Sequence, residues 1–246
     1  MKITRGSKIQ GLILATALTI GLCFVFPVSA QLVQPERSFI LDINGKTLTD
    51  LGTLVGGFTR ATGINDAGQV VGYSIMYGGA EHAFITGPNG VGMTDLGPLD
   101  GGGYYGSEAT DINDAGQVVG WSTTAENHLH AFITGPNGMG MTDLGTLGGD
   151  NSRAYAINDA GQAVGWAGTA AGEEHAFITG LNGEGMTDLN SLVELPVGIV
   201  LTSALDINNA GQVIVTAVIP EPQSYALMLA GLILAGFMVR RKSLST

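Results

Sequence analysis

The sequence predicts an all-β repeat protein, a small four-bladed β-propeller, with a β-solenoid or a sandwich as the alternatives. A repeat with a fixed period comes first among the reasons. His82–Gly90 recurs almost unchanged as His130–Gly138 and His175–Gly183, and each copy leads to Met-Thr-Asp-Leu at Met93, Met141 and Met186. Ile-Asn-Asp-Ala-Gly-Gln starts at Ile64, Ile112 and Ile157, with Ile207-Asn-Asn-Ala-Gly-Gln as a fourth copy. The histidines are 48 and 45 residues apart and the isoleucines 48, 45 and 50, the size of one four-stranded blade. Two hairpin signals inside every repeat and a permuted arrangement of the chain ends complete the case.

Each repeat reads as four short strands. In the second they are expected at Ala109–Asn113, Gln117–Ser122, His130–Thr134 and Met141–Leu144. Asp-Ala-Gly between the first two suits a three-residue turn closed by a left-handed glycine. Asn-Gly between the last two favours a turn with positive φ. A degenerate copy at Ser38–Gly45, followed by Thr49-Asp50-Leu51, keeps the five-residue spacing from Phe39 to Asn44 found in the later copies.

The ends are permuted. The repeat region opens on strands three and four (Phe39 to Leu51) and finishes on strands one and two (Ala204 to Val215). Three whole units plus one shared unit make four blades closed by the chain's own ends, an arrangement that removes exposed edges.

Composition agrees. Charged residues are 13% and glycines number 39 in 246 residues, which suits short strands and tight turns better than helical bundles or disordered tails. All 21 acidic residues lie from Glu36 to Glu221, where only Arg37, Lys46, Arg60 and Arg153 oppose them, a net of −17. Such a surface repels nucleic acid and anionic lipid and is compatible with cations or neutral glycans. The one cysteine, Cys23, lies in an apolar run near the start.

Both ends carry address-like patterns. Lys2, Arg5 and Lys8 precede the apolar run Gly11–Val25, and Val28-Ser29-Ala30 supplies a small-residue cleavage site. Residues 1–30 therefore read as a signal peptide, cut by signal peptidase between Ala30 and Gln31. Residues 31–37 form a short linker and 38–216 the repeat domain. Within 217–246, the apolar run 225–239 is expected to be a transmembrane helix, followed by Arg240, Arg241 and Lys242. Basic residues outside both apolar runs stay cytoplasmic, so both ends place the acidic middle across the membrane. A plain C-terminal anchor on a periplasmic binding domain is the alternative.

Pro220-Glu221-Pro222, the apolar run and the Arg-Arg-Lys cluster, in that order, resemble the PEP-CTERM sorting signal over about 25 residues. The resemblance implies a Gram-negative host that makes exopolysaccharide. It also implies recognition of Pro220, Glu221 and Pro222 by an exosortase, with transient inner-membrane anchoring before the tail is removed. The His-Ala-Phe, Thr-Asp-Leu-Gly and Ile-Asn-Asp-Ala-Gly-Gln-Val-Val-Gly segments look like bacterial HAF extracellular repeats over about 38–215. That resemblance implies an exported repeat protein and no defined chemistry. The fourth unit departs from it, with Asn190-Ser-Leu for Gly-Thr-Leu and Val215 for the final glycine.

Several recurring side chains are site candidates. His82, His130 and His175 match a metal-ligand count. No acid is seen to recur beside them and Ser38 opens the first copy, so a strand-edge histidine bonded to neighbouring backbone is expected, with no metal and no cofactor. Asp111-Ile-Asn113-Asp114-Ala-Gly116 resembles a calcium loop, but Ala115 stands where a ligand is needed, and a turn accounts for it. Tyr73, Trp121 and Trp166 share one repeat position. They read chiefly as packing between blades, with sugar stacking as the functional alternative. Tyr104-Tyr105 and Glu126-Asn127-His128 interrupt the repeat, so Tyr104, Tyr105, Glu126 and His128 join them as possible ligand contacts.

No catalytic constellation is evident: the sequence has no G-x-S-x-G, phosphate loop or H-E-x-x-H, and a pair such as Glu108 and Glu126 has no support from spacing. The expected protein is a non-enzymatic, exported, extracellular or cell-surface repeat protein associated with surface polysaccharide, with a secreted glycan-active enzyme as the rival. Mass spectrometry of terminal peptides from envelope fractions tests the address signals. The mature chain is expected to begin near Gln31 and end near Pro220 outside the inner membrane; a chain keeping Tyr225–Thr246 in the inner membrane would contradict the sorting signal.

Overall fold

The computed structural model describes residues 36–55, 57–99, 106–219 and 230–233. The signal segment, Tyr104, Tyr105, Pro220, Glu221, Pro222 and the basic cluster lie outside the described residues, as does most of the apolar run 225–239. Residues 230–233 are helical, and no helix among the described residues is long and apolar enough to cross a membrane.

Among the described residues, sixteen strands form five antiparallel sheets. The N-terminal pair is β1 (Phe39–Asp42) and β2 (Thr47–Asp50). Unit 1 holds β3 (Phe58–Ile64), β4 (Val70–Ile75), β5 (Glu81–Thr86) and β6 (Met93–Asp95). Unit 2 holds β7 (Ser107–Ile112), β8 (Val118–Thr123), β9 (Leu129–Thr134) and β10 (Met141–Gly145). Unit 3 holds β11 (Gly148–Ile157), β12 (Ala163–Thr169), β13 (Glu174–Thr179) and β14 (Met186–Asp188). The C-terminal pair is β15 (Val200–Ile207) and β16 (Val213–Val218). Each complete unit is a meander, with strand order one to four following the chain. The expected four strands per repeat are thus present.

The turns follow from their residues. Gly68, Gly116, Gly161 and Gly211 close the Asp-Ala-Gly turns with φ between 72° and 77°, a conformation that glycine adopts at no steric cost. Asn89, Asn137 and Asn182 take φ of 54–57° in the Asn-Gly turns. The first copy differs: there Lys46 carries the positive φ, and Asp42 accepts the backbone N–H groups of Asn44 and Gly45 instead.

Hydrophobic cores lie between consecutive sheets. Val71, Ile85, Ala109, Ile112, Val118 and Phe132 join units 1 and 2. Val119, Ile133, Ala154, Ile157 and Phe177 join units 2 and 3. Ala156, Val164, Leu201, Ala204 and Ile207 join unit 3 to the C-terminal pair. Leu51, Val70 and Phe84 join the N-terminal pair to unit 1. Phe84, Phe132 and Phe177 are fully buried, each opposite a glycine: Gly72, Gly120 and Gly165. A Cβ at any of these glycines would overlap the carbonyl oxygen of Arg60, Glu108 or Arg153.

The Ile-Asn-Asp-Ala-Gly-Gln turn stitches one unit to the next. Asn113 Oδ1 accepts the Gln117 N–H (2.9 Å). Its Nδ2 donates to Gln117 Oε1 (2.9 Å) and to the carbonyl of Asn158 in unit 3 (3.0 Å). Asn65 makes the same set with Gln69 and Asn113, and Asn158 with Gln162 and Asn208. Alongside them, the Asp66 N–H donates to Asp114, Asp114 to Asp159, and Asp159 to Asn209.

The four units do not close through the chain's own ends among the described residues. β3, β7, β11 and β15 pack successively, but no comparable packing joins β15 to β3. The two end pairs remain separate two-stranded sheets. The ladder connects three steps, not four.

Asn113→Ala is expected to cost about 2–3 kcal/mol, because it strands the buried amide of Gln117 and the Asn158 carbonyl. Asn208→Ala, in the exposed fourth copy, should cost less than about 1 kcal/mol. Urea unfolding of the two variants side by side checks the contrast.

Candidate functional site

The recurring histidines have a partner that the sequence reading missed. His82 Nδ1 lies 2.9 Å from Asp95 Oδ2, and His130 and His175 lie 2.7 Å from Asp143 and Asp188. These are the aspartates of Thr-Asp-Leu, on the neighbouring fourth strand. The other carboxylate oxygen accepts the N–H two residues on, from Gly97, Gly145 and Asn190. The first copy keeps the device with arginine in place of histidine, Arg37 to Asp50 at 2.7 Å. The expectation of a backbone-bonded histidine without a recurring acid is therefore corrected: a carboxylate binds each ring and clips strand three to strand four. Among the described residues no cluster of three or more His, Cys, Asp or Glu could hold a metal.

The Asp-Ala-Gly turns converge on one depression of about 320 Å³, lined by Asp66, Asp111, Asp114, Asp159 and Asn209 among others. Asp114 and Asp159 each accept the backbone N–H of the preceding unit's turn, which makes them stitches between turns. Asp111 accepts the Ile157 N–H at 2.9 Å, and burial raises its pKa against that bond.

The aromatic position separates into three environments. Tyr73 packs against Phe58 with ring centroids 5.9 Å apart. The Arg153 guanidinium lies 4.8 Å from the Trp121 ring centre, a cation–π contact across units 2 and 3. Glu108 stands opposite Trp121 in the strand register. Burial chiefly raises its pKa, helped by Glu81 and opposed by Arg153 and Trp121. Glu126 is exposed on the β8–β9 turn, with no role in Glu108's environment.

Trp166 lines an open cleft of about 350 Å³. Its walls are the Gly148–Asn151 stretch at the start of β11 and the β12–β13 turn with Glu173 and Glu174. Thr169 Oγ1 holds the turn by accepting the Glu173 N–H at 3.2 Å. Asn151 Oδ1 anchors the other wall by accepting Leu129 N–H at 2.9 Å. An indole wall facing carboxylates and an amide is chemistry for a polyhydroxylated ligand: the apolar ring face takes sugar C–H groups and the oxygens take hydroxyls.

Two of the interrupting segments map onto this cleft's position in the repeat. Glu126 and His128 occupy the unit 2 turn that corresponds to the Glu173 turn in unit 3. Counting back from the equivalent Ser107 and Ser152, Tyr104 and Tyr105 align in sequence with Gly149 and Asp150. Asp150, Asn151, Glu173 and Glu174 were not singled out by the sequence; the departure of Gly148-Gly149-Asp150-Asn151 from the repeat was the available signal.

No known protein-family profile matches the chain, and no curated protein does either.

Asp188 gives the fourth strand a pH dependence. Burial works against its charge most strongly, but hydrogen bonds from His175 and Asn190 outweigh it and lower the pKa. A lowered carboxylate stabilises the fold above its unfolded pKa and loses that contribution as pH falls through the folded value. Asp188→Asn should therefore flatten the acid limb of Tm against pH below about pH 4, read by thermal melts from pH 2 to 7.

Proposed function

We propose that this chain is an exported, non-enzymatic β-repeat protein of the bacterial surface, sorted by an exosortase-type system and associated with exopolysaccharide. The N-terminal signal pattern and the PEP-CTERM-like tail support export and sorting. The HAF-like repeat supports an extracellular setting. The observation that carries the binding half is the Trp166 cleft, where the recurring aromatic meets open, polar walls. Strong net negative charge makes neutral glycans the ligand class it tolerates.

The finer reading of the architecture is propeller-type. It is supported by the way strand one of each unit packs on strands one to three of the unit before it, and the two end pairs would supply the two halves of a further four-stranded blade.

Binding is favoured over cleavage for a geometric reason. The two carboxyls with raised pKa, Glu108 and Asp111, stand apart from the cleft and are engaged with Trp121 and with the Ile157 N–H. A glycosidase needs two carboxyls flanking one bond, about 5–9.5 Å apart.

Affinity electrophoresis through host exopolysaccharide tests the reading. Retardation without shortening of the polymer is expected, with Trp166→Ala weakening it about tenfold. Chain shortening would favour the enzyme, and equal mobility with and without polymer would remove the glycan from the proposal.

A further inference from the structure

The array is complete along its length and incomplete at both ends. Three identical Asn–Gln stitches join four turns in a row. Inner-strand contacts repeat in step: Thr62 Oγ1 donates to the Ala109 carbonyl (2.7 Å) and Thr110 Oγ1 to the Ala154 carbonyl (3.0 Å). The Asn–Gln stitch at every step, with the threonine contact at the first two, sets neighbouring units in like relation. After three such steps β15 has not come round onto β3 as β7 lies on β3. The open ends are therefore a product of the step itself.

The two ends have complementary deficits. Among the described residues, the C-terminal pair has strands one and two without three and four, and the N-terminal pair has three and four without one and two. Side chains buried within the complete units are exposed there. Phe39 is 48% exposed, whereas its counterparts Phe84, Phe132 and Phe177 are at 0%. Ile214 is 60% exposed, whereas Val71, Val119 and Val164 are at 0%. Leu41, Leu48, Leu205 and Val218 add to the apolar ends. An apolar trough of about 320 Å³ beside Phe39, Leu41 and Ile64 lies open at the N-terminal end. Unpaired strand edges with apolar side chains are templates for further pairing.

We propose that a second copy of the chain completes both half-units. β16 of one copy pairs antiparallel with β1 of the other in the register that joins β4 to β5. There Val71 opposes Ile85 and Gly72 opposes Phe84, which sets Ile214 opposite Ile40 and Val215 opposite Phe39. A two-fold repeats the joint, so two arcs close into one ring with two composite blades. A head-to-tail contact is finite only when its rotation closes, and the arc shape supplies the curvature. The proposal rests on the propeller-type reading above.

Cysteine cross-linking tests it. Phe39→Cys and Val215→Cys are placed, separately and together, in full-length protein carrying Cys23→Ser. Both sites are exposed, so folding is not at stake. Co-expressed single variants are expected to yield a disulfide-linked dimer containing one of each, and light scattering of the parent protein a mass roughly twice that of one chain. A double variant that cross-links within one chain, with no dimer from the singles, would overturn the second copy while leaving the propeller-type reading intact: the ring would then close through its own ends. An open ladder of larger species would overturn the closed ring. No cross-link in any variant, with a monomer mass, would overturn the joint and the propeller-type reading together.

Discussion

One buried side chain per repeat holds this molecule in step. Asn65, Asn113 and Asn158 each tie down their own turn through the following glutamine and reach the backbone of the next unit. The glutamine takes the amide oxygen and one N–H, and the second donor of the amide is satisfied by the carbonyl of the neighbouring turn. The spacing between units is therefore a consequence of polar satisfaction, while the area buried between sheets supplies the stabilising energy. Hydrophobic packing alone would tolerate sliding; the stitch does not.

The same division of labour explains the rest of the repeated pattern. Phe84, Phe132 and Phe177 fill the interior, while Gly72, Gly120 and Gly165 opposite them let strand two lie close against the backbone of strand one. The His–Asp pairs join the third strand to the fourth, which are too short to be secured by backbone bonds alone. Since Arg37 with Asp50 performs this task in the first copy, what the position requires is a hydrogen-bond donor beside a carboxylate, not an imidazole. With histidine, aspartate and asparagine all committed to holding the repeat, chemistry is left to places where the repeat is broken. The Trp166 cleft is such a place: the Gly148–Asn151 stretch and an acidic turn form its walls.

Repetition also makes the ends consequential. A closed ring has no edges, and a linear array has two. This chain carries apolar side chains at both edges, with strand complements that match each other among the described residues, and these are the surfaces the proposed second copy would cover. Terminal repeats that stand alone carry polar outer faces, which Phe39, Ile214 and Val218 do not provide.

Much of this was legible from local sequence. The period, the four strands per unit, the left-handed glycines at 68, 116, 161 and 211, and the permuted end pairs all follow from short-range spacing, because turns and strand alternation are decided within a few residues. The partner of each histidine was not legible, although it stands 13 residues away in every copy, because the pairing depends on the register across two strands. The Trp166 cleft was not legible either: Trp121 and Trp166 occupy the same repeat position, and what stands beside each ring, Arg153 at Trp121 and the Gly148–Asn151 stretch at Trp166, comes from other strands. Sequence by itself determined the repeating unit and the identity of its turns. Tertiary structure decided what surrounds each aromatic and that, among the described residues, three steps leave the array unclosed, because both depend on how neighbouring strands and units are set against one another, a quantity fixed by contacts some 45 residues apart and absent from any one repeat.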